Sequence, residues 1–138
     1  MNVLVDTSVW SLSLRRGIPR DGSVEKELAE LLREGRVLMA SAIRQELLSG
    51  LRGDVQFREL RDRLRVFDDI EVNSLDHEEA ASCFNRCRAR GIQSSAVDAL
   101  LCAIAMRRQT AVFTTDNDFH HYARVLGLKL HKVRDAFR

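Results

Sequence analysis

Apolar residues follow two rhythms along this chain. Short runs suited to buried strands occur at residues 2–5, 37–40, 70–72, 111–114 and 128–133. Between them, apolar positions recur at helical spacing. Val24, Leu28, Leu31 and Leu32 share one face, as do Ile43, Leu47, Leu48 and Leu51, and again Phe57, Leu60, Leu64 and Phe67. Asp76-x-x-Glu79 reads as a capping box opening a helix that runs through Arg90 and stops at Gly91. Ser95 is placed to cap a helix over 96–108, whose "ALLCAIAM" is apolar on most sides and predicts a central position. A last short helix over 119–126 closes at Gly127. Strands alternating with helices specify an α/β fold, a largely parallel central sheet covered by helices on both faces. With no repeat, linker or low-complexity stretch, residues 1–138 read as one domain.

That architecture gives the acidic residues a common address. A helix that follows a parallel strand starts at the carboxyl edge of the sheet, where ligands of such folds bind. Asp6 ends the first apolar run and Asp116 follows the fourth. Ser41 precedes the helix that carries Glu46, and Asp98 lies in the first turn of the helix leading to the fourth run. Each acid has a local explanation too. Asp6 and Asp118 could be helix caps, Asp116 a turn residue, Asp98 the acidic partner of Ser95, and Glu46 a solvated helix residue. Gathered in one cleft they would repel, by roughly 4 kcal/mol for unit charges about 4 Å apart at an effective dielectric near 20. Such a cluster must protonate or hold a cation, and a set of oxygens suits Mg²⁺ or Mn²⁺ better than zinc. Whether the acids converge depends on strand order, which periodicity leaves open.

Composition alters this picture at three points. No apolar run approaches the roughly 18–20 residues of a membrane span, and no charged-then-apolar leader opens the chain, so a cytoplasmic location is expected. Cys83, Cys87 and Cys102 lack metal-binding or disulfide spacing and read as reduced core residues, while His77, His120, His121 and His131 read as surface or packing residues. The net charge is only +2, yet 19 of the 22 cations are arginine, which suits phosphate contact as well as an ordinary solvated surface. Arg15, Arg16 and Arg52 could guide such a substrate. Trp10 fits core packing better than base stacking.

The segments "VDTSVW", "SAIRQELLSGL", "SSAVDALLCAIA" and "FTTDNDF", in that order, resemble the PIN-domain ribonucleases, and among them the VapC-type toxins of bacterial type II toxin–antitoxin pairs. The resemblance spans nearly the whole chain. It implies strand order 3-2-1-4-5, which sets the first and fourth strands side by side. It implies that Asp6, Glu46, Asp98 and Asp116 form an acidic set holding one or two Mg²⁺ (or Mn²⁺) ions, with Asp118 as an additional acid or a cap. Thr7 or Ser8 and Thr115 resemble hydroxyl residues that steady the carboxylates or a water. The activity implied is cleavage of RNA by metal-activated water. The partners implied are a cognate VapB-type antitoxin, whose C-terminal segment blocks the acidic cleft, and a second toxin copy. Phe57, Leu60, Leu64 and Phe67, edged by Arg58, Arg61 and Arg65, are either a docking stripe for that antitoxin or simply core. Many relatives carry an acid just after the Trp10 position, where this chain has Ser11 and Leu12. Two other readings are an RNA-maturation nuclease of the same family without an antitoxin, and a catalytically silent RNA- or protein-binding module.

Overall fold

The structure is a computed structural model that describes residues 1–14 and 21–138. Strand β1 (Val3–Val5) leads into helix α1 (Thr7–Leu14), followed by α2 (Ser23–Arg33), β2 (Val37–Leu38), α3 (Ser41–Ser49) and α4 (Asp54–Leu64). Then come α5 (Ser74–Ala89), α6 (Ala96–Arg107), β3 (Ala111–Phe113), α7 (Asp118–Leu126) and a terminal 3₁₀ turn, Asp135–Phe137. The strands are parallel, in the order β2-β1-β3, with Leu4 opposite Leu38 on one side and Val112 on the other. Every side chain of β1 and β3 is buried. Since successive strand residues point to opposite faces, the sheet is covered on both, as an α/β fold requires.

The five-strand order 3-2-1-4-5 is not what forms. The two outer segments are reduced to single parallel bridges, Asp69 against Met39 and Leu130 against Val112. Backbone groups in and beside these segments are engaged elsewhere. The Arg44 guanidinium takes the Leu64 and Phe67 carbonyls at 3.0 and 2.8 Å, and Arg108 takes that of Glu71. Asn73 then caps α5, which leaves the 70–72 run too short to zip up. On the other flank His131 still donates to Val112, at 2.8 Å, but Arg134 is drawn away to α2, where its N–H meets Glu27 Oε1 at 2.9 Å.

Helix α6 is buried on most sides, as "ALLCAIAM" suggests, and packs along α5. Cys83, Cys87 and Cys102 are buried and unpaired, and burial raises the pKa of all three thiols. Gly127, with φ +77°, ends α7 in the left-handed conformation that suits glycine. Among the described residues no helix is long and apolar enough to cross a membrane.

Two fully buried acids are held by arginine. Glu27 meets Arg134 Nε at 3.0 Å, and Arg134 also reaches Glu30 on the same helix and Glu34, its C-cap. Asp76 is the acid of the capping box but not its cap. Asn73 caps α5 by accepting from the backbone of Leu75 and Asp76, and Asp76 Oδ2 accepts from Asn73 N at 2.9 Å. The expected Asp76–Glu79 box is thereby shifted three residues toward the N-terminus, with Asn73 as the cap and Asp76 as its acidic partner. Asp76 Oδ1 lies 2.7 Å from Arg107 and 3.1 Å from Arg108.

Burial opposes the Asp76 charge, but the Asn73 N–H and the guanidinium groups of Arg108 and Arg107 outweigh it and hold the carboxyl at about 2. A pKa depressed in the folded state stabilises fully above the unfolded value and is lost as pH falls through the folded one. The shift amounts to at most about 2 kcal/mol. Urea unfolding should therefore find Asp76→Asn destabilised by about that much at pH 7, with the mutant penalty shrinking between about pH 4 and 2. A penalty independent of pH across that window would show that the charge contributes nothing.

Candidate active site

Asp6 stands where β1 turns into α1. Its N–H extends the sheet ladder to Phe113 O at 2.9 Å, and its carbonyl accepts from Val9 and Trp10 in the first turn of the helix. The residue is 6% exposed. Its Oδ2 accepts from Ser8 Oγ at 2.8 Å and from Thr114 Oγ1 at 2.9 Å. Each hydroxyl in turn accepts a backbone N–H from the loop after β3: Ser8 from Thr115 and Thr114 from Asp116, both at 3.0 Å. The loop is thus stitched to α1 through the carboxylate. Asp116 Oδ1 accepts the Asp118 N–H at 2.9 Å, which turns the chain into α7.

Asp98 comes in on the first turn of α6, where Ser95 Oγ takes its N–H at 3.0 Å. Tyr122, buried on α7, donates its hydroxyl to Asp98 Oδ2 at 2.9 Å. The Asp98 carboxyl lies above its ordinary pKa. Burial is the largest cause, and the negative charges of Asp6 and Asp116 add to it against the Tyr122 and Ser95 hydroxyls. Those three acids therefore feel one another. Glu46 is exposed on α3 and is reached by Thr7 Oγ1 at 2.8 Å. Because β1 is central, Asp6 has the β2–α3 side on one flank and the β3–α7 loop on the other.

The electrostatics set this edge apart from the rest of the molecule. Asp76 and Glu27 are neutralised by arginines, and Asp69 by Arg44. Among the described residues no cationic side chain forms an ion pair with Asp6, Glu46, Asp98 or Asp116, and the donors that reach them are hydroxyls and a backbone N–H. An all-oxygen set that lacks a counter-charge is what a hard divalent cation fits. The packing is looser than a closed cage. Among the described residues no three His, Cys, Asp or Glu side chains are gathered closely enough to enclose a metal ion by themselves. Magnesium sites commonly have this form, with one or two carboxylates and the remaining positions left to water and substrate phosphate.

Of the hydroxyls anticipated from the sequence, Thr7 and Ser8 both touch an acid, one each. Thr115 does not steady a carboxylate through its hydroxyl; it offers only its backbone N–H to Ser8. Thr114, directly after β3, takes that role, its hydroxyl donating to Asp6 Oδ2. Tyr122 was the other residue missed. It sits one turn after Asp118 on the buried face of α7, and a buried phenol needs a polar partner. Asp118 is exposed, and its backbone rather than its side chain meets Asp116. Trp10 packs edge-on against Phe67 with centroids 5.5 Å apart. Arg52 is exposed, and Arg15 and Arg16 lie outside the described residues.

A family model described as the PIN domain matches residues 3–125. The chain is 28% identical over 137 residues to ribonuclease VapC11 of Mycobacterium tuberculosis, covering 96% of this chain and 99% of that protein. Among solved structures, FitAcB from Neisseria gonorrhoeae superimposes with a TM-score of 0.75 at 21% identity, covering 94% of this chain and 96% of that one. VapBC2 from Rickettsia felis, bound to a promoter DNA fragment, gives 0.76 at 16% identity, covering 95% and 98%. At these identities the solved structures establish the fold alone.

Removing the Tyr122 hydroxyl takes away a donor that favours the Asp98 charge while burial and the neighbouring acids remain. Tyr122→Phe should therefore raise the Asp98 pKa further, as read from its carboxyl carbon in an NMR titration without divalent cations. A value equal to wild type would remove Tyr122 from the electrostatics of this edge.

Proposed function

The chain belongs to the PIN-domain family, and from that premise we propose that it is a Mg²⁺-dependent endoribonuclease, the toxin of a type II toxin–antitoxin pair acting in the cytoplasm. The observation that carries the reading is the absence of any counter-charge, among the described residues, on the acids at the carboxyl edge of the sheet in a protein that pairs its other buried acids with arginine. VapC11 is named a ribonuclease, which supports RNA as the substrate.

Asp6 and Asp98 are the first residues we assign to hold the cation, Asp116 the next, with Asp118 available at the rim. When bound, the divalent ion supplies the positive charge that lets a phosphodiester approach this edge and makes water a stronger nucleophile. Ser8 and Thr114 orient Asp6, and Tyr122 orients Asp98 and favours its ionised form. Glu46, exposed and oriented by Thr7, either ligates or accepts a proton from the attacking water. Attack is in line on phosphorus and uses no protein nucleophile; the three cysteines are buried with raised pKa values. Mn²⁺ is the natural substitute for Mg²⁺.

The partner is a VapB-type antitoxin, in a hetero-oligomer with paired toxin copies. Its seat differs from the stripe read in the sequence. Leu60 and Leu64 are buried and Phe67 packs on Trp10, so of that set only Phe57 is substantially exposed. The better surface is a pair of adjoining clefts of about 270 and 230 Å³ that share Leu14, Leu51 and Leu60. Glu46 lines one and Arg63 the other, so an amphipathic segment lying there would end beside the acids.

Two measurements test the proposal. Asp6→Asn should lower Mg²⁺-dependent cleavage of total cellular RNA by at least about 100-fold, or about 2.7 kcal/mol, with an unchanged circular dichroism spectrum. Undiminished cleavage would refute the mechanism. Pull-down from the native host should recover a small partner with the wild-type chain, and Leu51→Asp should release it. A chain recovered consistently alone would count against an antitoxin.

A further inference from the structure

Each hydroxyl that steadies Asp6 is committed on both sides. A Ser or Thr hydroxyl has one proton to give. Ser8 Oγ already accepts the Thr115 N–H, and Thr114 Oγ1 already accepts the Asp116 N–H. The proton of each is left to point at the carboxylate, and both point at the same atom, Oδ2, from 2.8 and 2.9 Å. The two hydroxyl oxygens are 3.2 Å apart, close enough that a bond between them would have to be made at the expense of one of these.

A carboxylate oxygen has two lone-pair directions. Two hydrogen bonds fill those of Asp6 Oδ2 and leave it nothing to offer a cation. Oδ1 receives no hydrogen bond from the described residues. Asp98 repeats the arrangement in part, with Oδ2 taken by Tyr122 and Ser95 also favouring its ionised form.

We propose that Ser8 and Thr114 make Asp6 a one-oxygen ligand and so bias this edge toward a small divalent cation such as Mg²⁺ over Ca²⁺. The inference rests on the metal-dependent reading above and adds to it a basis for choosing the ion. Mg²⁺ demands near-octahedral geometry with single oxygens at close range, whereas Ca²⁺ fills six to eight positions and is commonly gripped by both oxygens of a carboxylate. Filling Oδ2 from within the protein denies Asp6 the second kind of grip. Ser8 and Thr114 are thus positioning residues that set which ion Asp6 can hold.

The test is direct ion binding, read without RNA. Mn²⁺ bound to the full chain is followed by its EPR signal and displaced with Mg²⁺ or Ca²⁺. The ratio of the two displacing concentrations is then compared between wild type, Ser8→Ala and Thr114→Val. Removal of either hydroxyl frees a lone pair on Oδ2, so Ca²⁺ should gain on Mg²⁺ by about tenfold relative to wild type. Ser8→Ala serves as the second variant should Thr114→Val lose its fold, since melting curves monitor both. A wild-type ratio in a folded Ser8→Ala chain would overturn the assignment, and if Asp6→Asn still abolished cleavage the nuclease reading would stand without it. A wild-type chain that binds no Mn²⁺ at millimolar concentration would overturn both.

Discussion

A carboxyl group inside a protein is tolerated only where donors meet it, and among the described residues Asp6 is met by neutral donors from two distant stretches of chain. Ser8 lies two residues away and Thr114 lies 108. The contact that satisfies the carboxyl therefore also joins the β1–α1 junction to the loop between β3 and α7. The remaining acids are placed by this join or by what flanks it. Asp116 is carried by the same loop, Asp98 is tied by Tyr122 to the helix that the loop opens, and Glu46 is tied to α1 through Thr7. Loosening one bond at Oδ2 would disturb the loop after β3, because Ser8 and Thr114 also hold its backbone N–H groups.

The choice of neutral donors has a physical meaning in a protein so rich in arginine. Elsewhere the molecule spends that arginine on acids: Arg107 and Arg108 on buried Asp76, Arg134 on buried Glu27, and Arg44 on exposed Asp69. A guanidinium at the sheet edge would have satisfied Asp6 or Asp98 more strongly than a hydroxyl does. It would also have occupied the place assigned to a cation in the proposed function. Hydroxyls orient a carboxylate and leave its charge in force. On the proposed function, that difference separates an acid serving the fold from one kept for use.

Much of this was legible in the sequence, for identifiable reasons. Asp6, Asp98 and Asp116 could be assigned to one edge because strand and helix periods fix which end of an element a residue occupies. Thr114 was harder, since one residue of alternation decides whether it or Thr115 faces inward, and strand ends are where that parity is least certain. Tyr122 was invisible because its partner lies on another helix. The outer strands failed for a related reason. The 70–72 and 128–133 runs have strand-like composition, but Arg44, Arg108 and Glu27 capture the neighbouring backbone through contacts between elements far apart in the chain. Propensity describes a segment, and those competitors belong to the assembled fold.

The tether between α2 and the tail carries a further implication for biogenesis. Glu27 is fully buried, and the residue that neutralises it is translated 107 positions later. Until Arg134 emerges, the helix that presents Glu27 must keep that charge in solvent or take up a proton, so it cannot settle against the sheet in its final form. The segment that flanks β3, the strand feeding the acidic loop, arrives in the same late stretch. A polypeptide that has not yet exposed Leu130 and Arg134 therefore lacks the flank of β3 and the partner of Glu27.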